Sequence, residues 1–230
     1  MNNIPPSRIK IIQYMHGDLP YFPLSERINR RYCEMHGYQY VVRRDPPRKD
    51  RHINWHKVPM ILDEISHCDY MIYVDADAFF YGDGFTVENH LLPRMGNHEI
   101  MMAADITHEG WRWNPDKPNA GVIVMKTTPE VLRFMEYWNA SSEIAVNLRW
   151  EWPLEQRALW ECVLPMFPDF LRVEPDYYLF QGHYGLFIRH LMITPNEERV
   201  RQMKDFCRLR GIEIENIPPQ NSFIHHTSRS

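Results

Sequence analysis

The sequence predicts an α/β fold with a mostly parallel central sheet flanked by helices, organised as one domain over residues 1–230. Three observations predict it. The chain opens with an apolar segment, an amphipathic segment and a second apolar segment. The run Tyr70-Met71-Ile72-Tyr73-Val74 is apolar without alternation, the pattern of a strand covered on both faces. Two further apolar runs, Ile100 to Ala104 and Gly121 to Met125, follow it. Strands and helices alternating in this way build a parallel sheet that takes its ligand at the carboxyl ends of the strands.

Each element has its own signal. Arg8 to Tyr14 has strand character, and Ser25 followed by Glu26 to Met35 reads as a helix stopped by His36-Gly37. Tyr38 to Val42 is the second strand. The Arg43 to Arg51 stretch, rich in proline and charge, is a loop. Val58, Ile61, Leu62 and Ile65 recur at helical spacing and lead through His67-Cys68-Asp69 into the third strand. Beyond it, Trp111 to Asn119 reads as an aromatic loop between two buried strands, with Asn119 opening the second. Pro129 to Trp138 reads as a helix with proline in its first turn.

Bulk composition excludes several classes. Lys plus Arg number 26 against 30 Asp plus Glu, a formal charge of −4, so no global field invites nucleic acid. Four scattered cysteines form neither a metal pair nor a disulfide framework. Met1 to Pro6 lacks the apolar stretch of a signal peptide, and no segment approaches the ~20 apolar residues of a membrane-spanning helix. The expected location is the cytoplasm, with the secretory-pathway lumen as the alternative if an anchor lies outside this sequence. The oligomeric state is left open.

The chemistry-bearing motif is Asp75-Ala76-Asp77. A buried strand ending in Asp-x-Asp puts two carboxylates on one side where solvent begins. Like charges so close are costly unless a cation joins them, and Mg²⁺ or Mn²⁺ takes oxygen ligands from carboxylates and diphosphate together. The bland alternative is a pair of solvated turn aspartates.

Context decides between them. Trp55-His56-Lys57, an amphipathic helix, then Tyr73-Val74-Asp75-Ala76-Asp77-Ala78 resembles the retaining galactosyl- and xylosyltransferase family of the GT-A fold, with its W-x-K, helix and D-x-D. Asn119-Ala120-Gly121 followed by an apolar strand resembles that family's N-x-G block. Glu155-Gln156-Arg157-Ala158-Leu159 resembles its acidic-Gln segment, and Phe187-Ile188-Arg189-His190 the segment with its third metal ligand. The blocks stand in the family's order from the first strand to about Arg201.

The resemblance implies a metal-dependent, retaining enzyme. It would move a hexose or pentose from a nucleoside-diphosphate sugar, with UDP the expected nucleotide, to a saccharide or other hydroxyl acceptor. It implies that residues 1–80 form a nucleotide-binding half and 81–230 a donor-sugar and acceptor half. Asp75, Asp77 and His190 would hold Mn²⁺ or Mg²⁺. Asp75, Lys57, Tyr14 and Arg199 would hold the nucleotide, with Tyr14 stacking on the base and Arg199 or Arg201 on the leaving phosphate. Gln156, Glu155 and Asn119 would face the donor sugar.

The residues themselves leave alternatives. His183 and His225 compete with His190. Glu151, Glu155 and Arg157 also read as a solvated helix face, and Asn119 as a turn residue. Glu155, Glu109 or Asp105 would be the base of an inverting reaction. Acceptor specificity is expected from Trp111 to Asn114 and the C-terminal third. Rival readings are a haloacid dehalogenase-type phosphatase with Asp75 as nucleophile and a non-catalytic nucleotide-sugar-binding domain. The phosphatase lacks support in the residues that follow, Ala78-Phe79, and in Asp169 and Asp176, which stand apart.

Overall fold

All six residues of Ile9–Tyr14 are buried, and this strand (β1) anchors the sheet of the computed structural model, which describes residues 5–106, 113–175, 179 and 182–214. A helix, Phe22–His36 (α1), follows and stops at Gly37, whose φ of 75° is the left-handed cap that glycine adopts without a Cβ penalty. Gln39–Arg43 (β2) then returns parallel to β1. Lys57–Glu64 (α2) leads to Tyr70–Val74 (β3), parallel to β1 on its other side.

The β3 strand shows why its sequence is apolar throughout. Met71 and Tyr73 enter one core cluster with Val58 and Ile61 of α2, whereas Ile72 and Val74 enter a second with Tyr32 and Cys33 of α1. Both faces are covered, so no position of the strand has a polar side to show.

Past Ala78–Phe80 (β4), two short helices, Val87–His90 (α3) and Leu92–Met95 (α4), precede Ile100–Ile106 (β5). Trp113–Lys126 (β6) is longer than the predicted strand and runs antiparallel to both β3 and β5. Asn119 therefore lies inside a strand, not at its opening. Pro129–Ile144 (α5) is capped by Thr128 and packs on α2. Glu155–Ala158 (α6) and Leu171–Glu174 (β7), parallel to β5, complete the main sheet in the order β2-β1-β3-β6-β5-β7. Three of its five pairings are parallel, as predicted. The two antiparallel ones both belong to β6.

A second sheet pairs β4 antiparallel with Ile188–His190 (β8), opposing Ala78 to His190. Asn196–Leu209 (α7) closes this corner, burying Val200, Met203 and Phe206 against Tyr21, Phe79 and Leu191. No helix among the described residues is long and apolar enough to cross a membrane.

Candidate active site

The Asp75-Ala76-Asp77 turn rests on a buried polar scaffold. Gln13, whose neighbours on β1 are apolar, donates to the Asp75 carbonyl at 3.0 Å and to the Ala78 carbonyl at 3.3 Å. Asn29 donates to the Ala78 carbonyl at 3.0 Å and accepts from the Phe80 amide, while Tyr40 donates to Gln13 at 2.5 Å. Gln13, Ser25 and Asn29 are wholly buried. Buried amides of this kind cost free energy unless paired, so their full pairing fixes the backbone that carries the two aspartates. Sequence reasoning missed all three, although a glutamine inside Ile11-Ile12-Gln13 was a visible signal.

Asp75 is held from below by Lys57. The Lys57 ammonium, 5% exposed, lies 3.1 Å from Asp75 Oδ1 and 3.0 Å from Glu155 Oε1, and donates to the Ala120 carbonyl at 3.1 Å. Burial works to lower its pKa, yet the two carboxylates outweigh burial and hold it above the ordinary value. Tyr73 adds a hydrogen bond to Asp75 Oδ1 at 2.5 Å. Trp55, fully buried, donates its indole N–H to the Leu148 carbonyl at 3.1 Å and so fixes the entry to α2.

Asp77 faces an imidazole and a guanidinium. His190 Nε2 lies 3.2 Å from its Oδ1, and Arg199 lies 2.7 Å from its Oδ2. Burial alone would raise the Asp77 pKa, but His190 and Arg199 pull it down to about 2. Arg199 also donates to the Leu191 carbonyl at 3.0 Å and sits over the Tyr21 ring. Backbone register supplies the meeting: Leu191 donates to the Asp77 carbonyl, extending the β4–β8 pairing.

His190 Nε2 also reaches Asp75 Oδ2 at 3.7 Å, and ligand atoms of Asp75, Asp77 and His190 lie within 4.8 Å of one another. Two carboxylates and an imidazole form a donor set suited to Mn²⁺ or Mg²⁺. His190 is 3% exposed and its Nδ1 has no hydrogen-bond partner. Gly121 makes the approach possible, since a Cβ there would stand 2.0 Å from His190 Cε1. The glycine of the N-x-G block thus leaves room for an imidazole.

Asn119 and Gln156 meet over Asp105. Asn119 donates to Asp105 Oδ1 at 2.8 Å and Gln156 to Asp105 Oδ2 at 3.1 Å, while the Gly121 amide donates to Asn119 and the Ala120 amide to Gln156, both at 2.8 Å. Every amide atom of the pair is thereby given an orientation. Glu155 is 3% exposed, not part of a solvated face; that description suits only Glu151 and Arg157, which pair at 3.4 Å. Burial pushes the Glu155 pKa up against the pull of Lys57, and its Oε2 has no hydrogen-bond partner. The carbonyl of Glu155 accepts from the buried Trp138 indole at 2.9 Å, and Leu154 before it has φ 62°.

A cavity of about 880 Å³ gathers these groups: Tyr14, Lys57, Asp75, Asp77, Asn119, Glu155, Gln156, His190 and Arg199 all line it. Tyr14 is mostly buried, with its ring centroid 4.4 Å from that of His56 and its hydroxyl bonded to the Asp45 carbonyl. Arg201 does not join them: it is exposed and pairs with Glu198 and Asp205 along α7, two residues and so about 200° of helical rotation from Arg199. His183 bonds the Met192 carbonyl at 2.7 Å. His225, Glu109, Asp176, Trp111 and Arg112 lie outside the described residues, as do the side chains of Trp113 and Asn114.

Comparison with known proteins agrees with this geometry. The sequence profile of the galactosyl transferase GMA12/MNN10 family matches residues 16–118. No curated protein matches the chain. The chain is similar in fold to a glycosyltransferase involved in the glycosylation of the major capsid of PBCV-1, at 17% identity and a TM-score of 0.70, over 86% of this chain and 98% of that one. It is also similar to the glycosyltransferase GlyE of Streptococcus pneumoniae TIGR4, at 13% identity and a TM-score of 0.52, over 88% of this chain and 64% of that one. The family match and the shared fold support an enzyme, a GT-A-like glycosyltransferase.

Proposed function

We propose that this glycosyltransferase moves a hexose or pentose from a nucleoside-diphosphate sugar, with UDP the expected nucleotide, to a hydroxyl of a saccharide acceptor with retention at the anomeric carbon. The observation that carries the reading is the meeting of Asp75, Asp77 and His190 at one end of a cavity whose side wall presents the amides of Asn119 and Gln156. Asp75, Asp77 and His190 would hold Mn²⁺ or Mg²⁺. Such an ion, when bound, neutralises negative charge that grows on the diphosphate as the anomeric C–O bond breaks.

The remaining roles belong to the chain. Lys57 and Tyr73 hold Asp75 by Oδ1, so that its second oxygen is the one offered to the cavity. Arg199, paired with Asp77, is the cation positioned to receive phosphate oxygens. Tyr14 lines the wall where a base would lie. Asn119 and Gln156, each fixed by Asp105, are pre-oriented for donor hydroxyls, which lowers the ordering cost of binding. Glu155 places a carboxylate near the developing positive charge of the sugar ring. Retention rests on the family likeness alone; an inverting route would call on Glu155 or Asp105 as base.

Calorimetry with UDP, GDP and ADP, each with Mn²⁺ and with chelator, tests the reading. UDP is expected to bind only with the cation, and Asp77→Ala to abolish that binding. Metal-independent binding, or binding that survives in Asp77→Ala, overturns the metal assignment. Release of free sugar from UDP-sugars supports transfer, whereas release of phosphate from p-nitrophenyl phosphate in a manner that needs Asp75 supports the phosphatase instead.

A further inference from the structure

Trp152 is 65% exposed, although an indole is among the costliest side chains to leave in water. It lines the same cavity as Asp75 and Asp77. Its neighbour Trp150 is nearly as exposed, at 59%, and does not line the cavity. Between Trp152 and the buried Glu155 stands Leu154, held at φ 62° with its side chain 2% exposed. A bulky residue in the left-handed region is strained, and such strain is kept where surrounding structure imposes it. Here it reverses the chain between an indole in solvent and a carboxylate in the site.

A second tryptophan, Trp160, lines the same cavity. Trp160 donates its indole N–H to the Pro118 carbonyl at 2.8 Å, which fixes its plane, and the Lys117 ammonium lies 4.8 Å from its ring centroid. Arg157 and Glu161, also in the lining, pair with each other at 2.7 Å and so cancel as a charge. The lining therefore offers an apolar plate, hydrogen-bond donors and acceptors, and the ammonium of Lys117.

We propose that Trp152 is the platform on which the saccharide acceptor stacks. This rests on the reading of the site as a nucleotide-sugar transferase. The occupant must lie flat on an indole and yet present a hydroxyl toward the Asp75 end of one continuous cavity. A pyranose does both, since its axial C–H bonds make an apolar face and its rim is hydroxyl. Lys117, fixed over Trp160, donates to ring hydroxyls from the side. Trp152 is thus a binding residue for the second substrate and takes no part in holding the nucleotide.

The test uses the full chain with UDP and Mn²⁺ and, as probes, methyl glucoside, methyl galactoside and methyl mannoside in saturation-transfer NMR. At least one is expected to receive saturation on its ring C–H protons. Trp152→Ala is expected to weaken that binding about three- to tenfold, with Trp150→Ala as the exposed-tryptophan control that leaves it unchanged. UDP binding by calorimetry is expected to be equal in all three proteins. Loss of UDP binding in the wild-type chain defeats the reading of the site as a whole. Intact UDP binding with no sugar signal, or with sugar binding indifferent to Trp152, overturns this proposal alone. Saturation of a short serine- and threonine-containing peptide in place of the sugars assigns the platform to a protein acceptor and also overturns it.

Discussion

At the floor of the cavity, Asp75, Asp77 and His190 are placed by strand register, by a fully paired amide scaffold and by buried counter-charges. At its mouth, Trp152 stands in solvent on a segment whose shape depends on the strained turn at Leu154. The difference teaches where precision is needed. Cation and phosphate chemistry is steep in distance, so the floor is over-determined. Stacking on an apolar plate tolerates small displacements, so the mouth is held by less.

The largest expected effect comes from breaking the floor's charge balance. Lys57→Met strands the buried carboxylate of Glu155 beside the half-buried one of Asp75 without a cation, and breaking the buried Lys57–Glu155 pair in this way costs about 3–5 kcal/mol. Chemical denaturation is the measurement. Lys57→Met combined with Glu155→Gln is expected to recover much of the loss, because one of the stranded charges is gone; a single variant as stable as the wild type would show that the floor is not organised by charge.

Next in size is Gly121→Ala. The added methyl would stand 2.0 Å from His190 Cε1, so the imidazole must move. Overpacking costs about 1–3 kcal/mol, and displacing a ligand is expected to weaken Mn²⁺-dependent UDP binding by about 10–100-fold. Calorimetry at fixed UDP with varied Mn²⁺ reads this directly. Unchanged affinity would remove His190 from the metal site, while a loss of stability without a loss of affinity would make Gly121 a packing residue only.

The floor and the rest differ in what the sequence reveals. Strands β1, β2 and β3 and helices α1 and α2 follow from local periodicity and from Gly37, because each needs only its own residues to declare a face. Asp75 and Asp77 are legible for the same reason: they end a continuous apolar run. The antiparallel run of β6 is not legible, since a buried strand is apolar in either direction. Nor is the part played by Asp105, which lies 14 residues from Asn119 and 51 from Gln156 and acts on both. Pairings across such distances are decided by topology. Arg199 and Arg201 illustrate the limit well: two residues apart on one helix, they look alike in sequence, yet only Arg199 turns toward Asp77.

The smallest predicted effect sharpens the comparison behind the lining, where His56 backs Tyr14. His56 is neither paired like the floor nor open like the mouth: its ring packs on Tyr14 and its Nδ1 is buried without a partner. Burial lowers its pKa below the ordinary 6.5, with Arg43 and His16 adding to the shift while Asp45 and Asp63 oppose it. In the unfolded chain the imidazole takes a proton as pH falls through about 6.5, a proton the folded state refuses until lower pH. Its contribution to stability is therefore complete above that value and is lost as pH falls toward the folded pKa. His56→Gln removes this slope, so melting temperatures of the two proteins are expected to converge as pH falls from neutrality. Parallel curves would mean that the imidazole is hydrated in solution, and that the support behind Tyr14 is as open as the mouth.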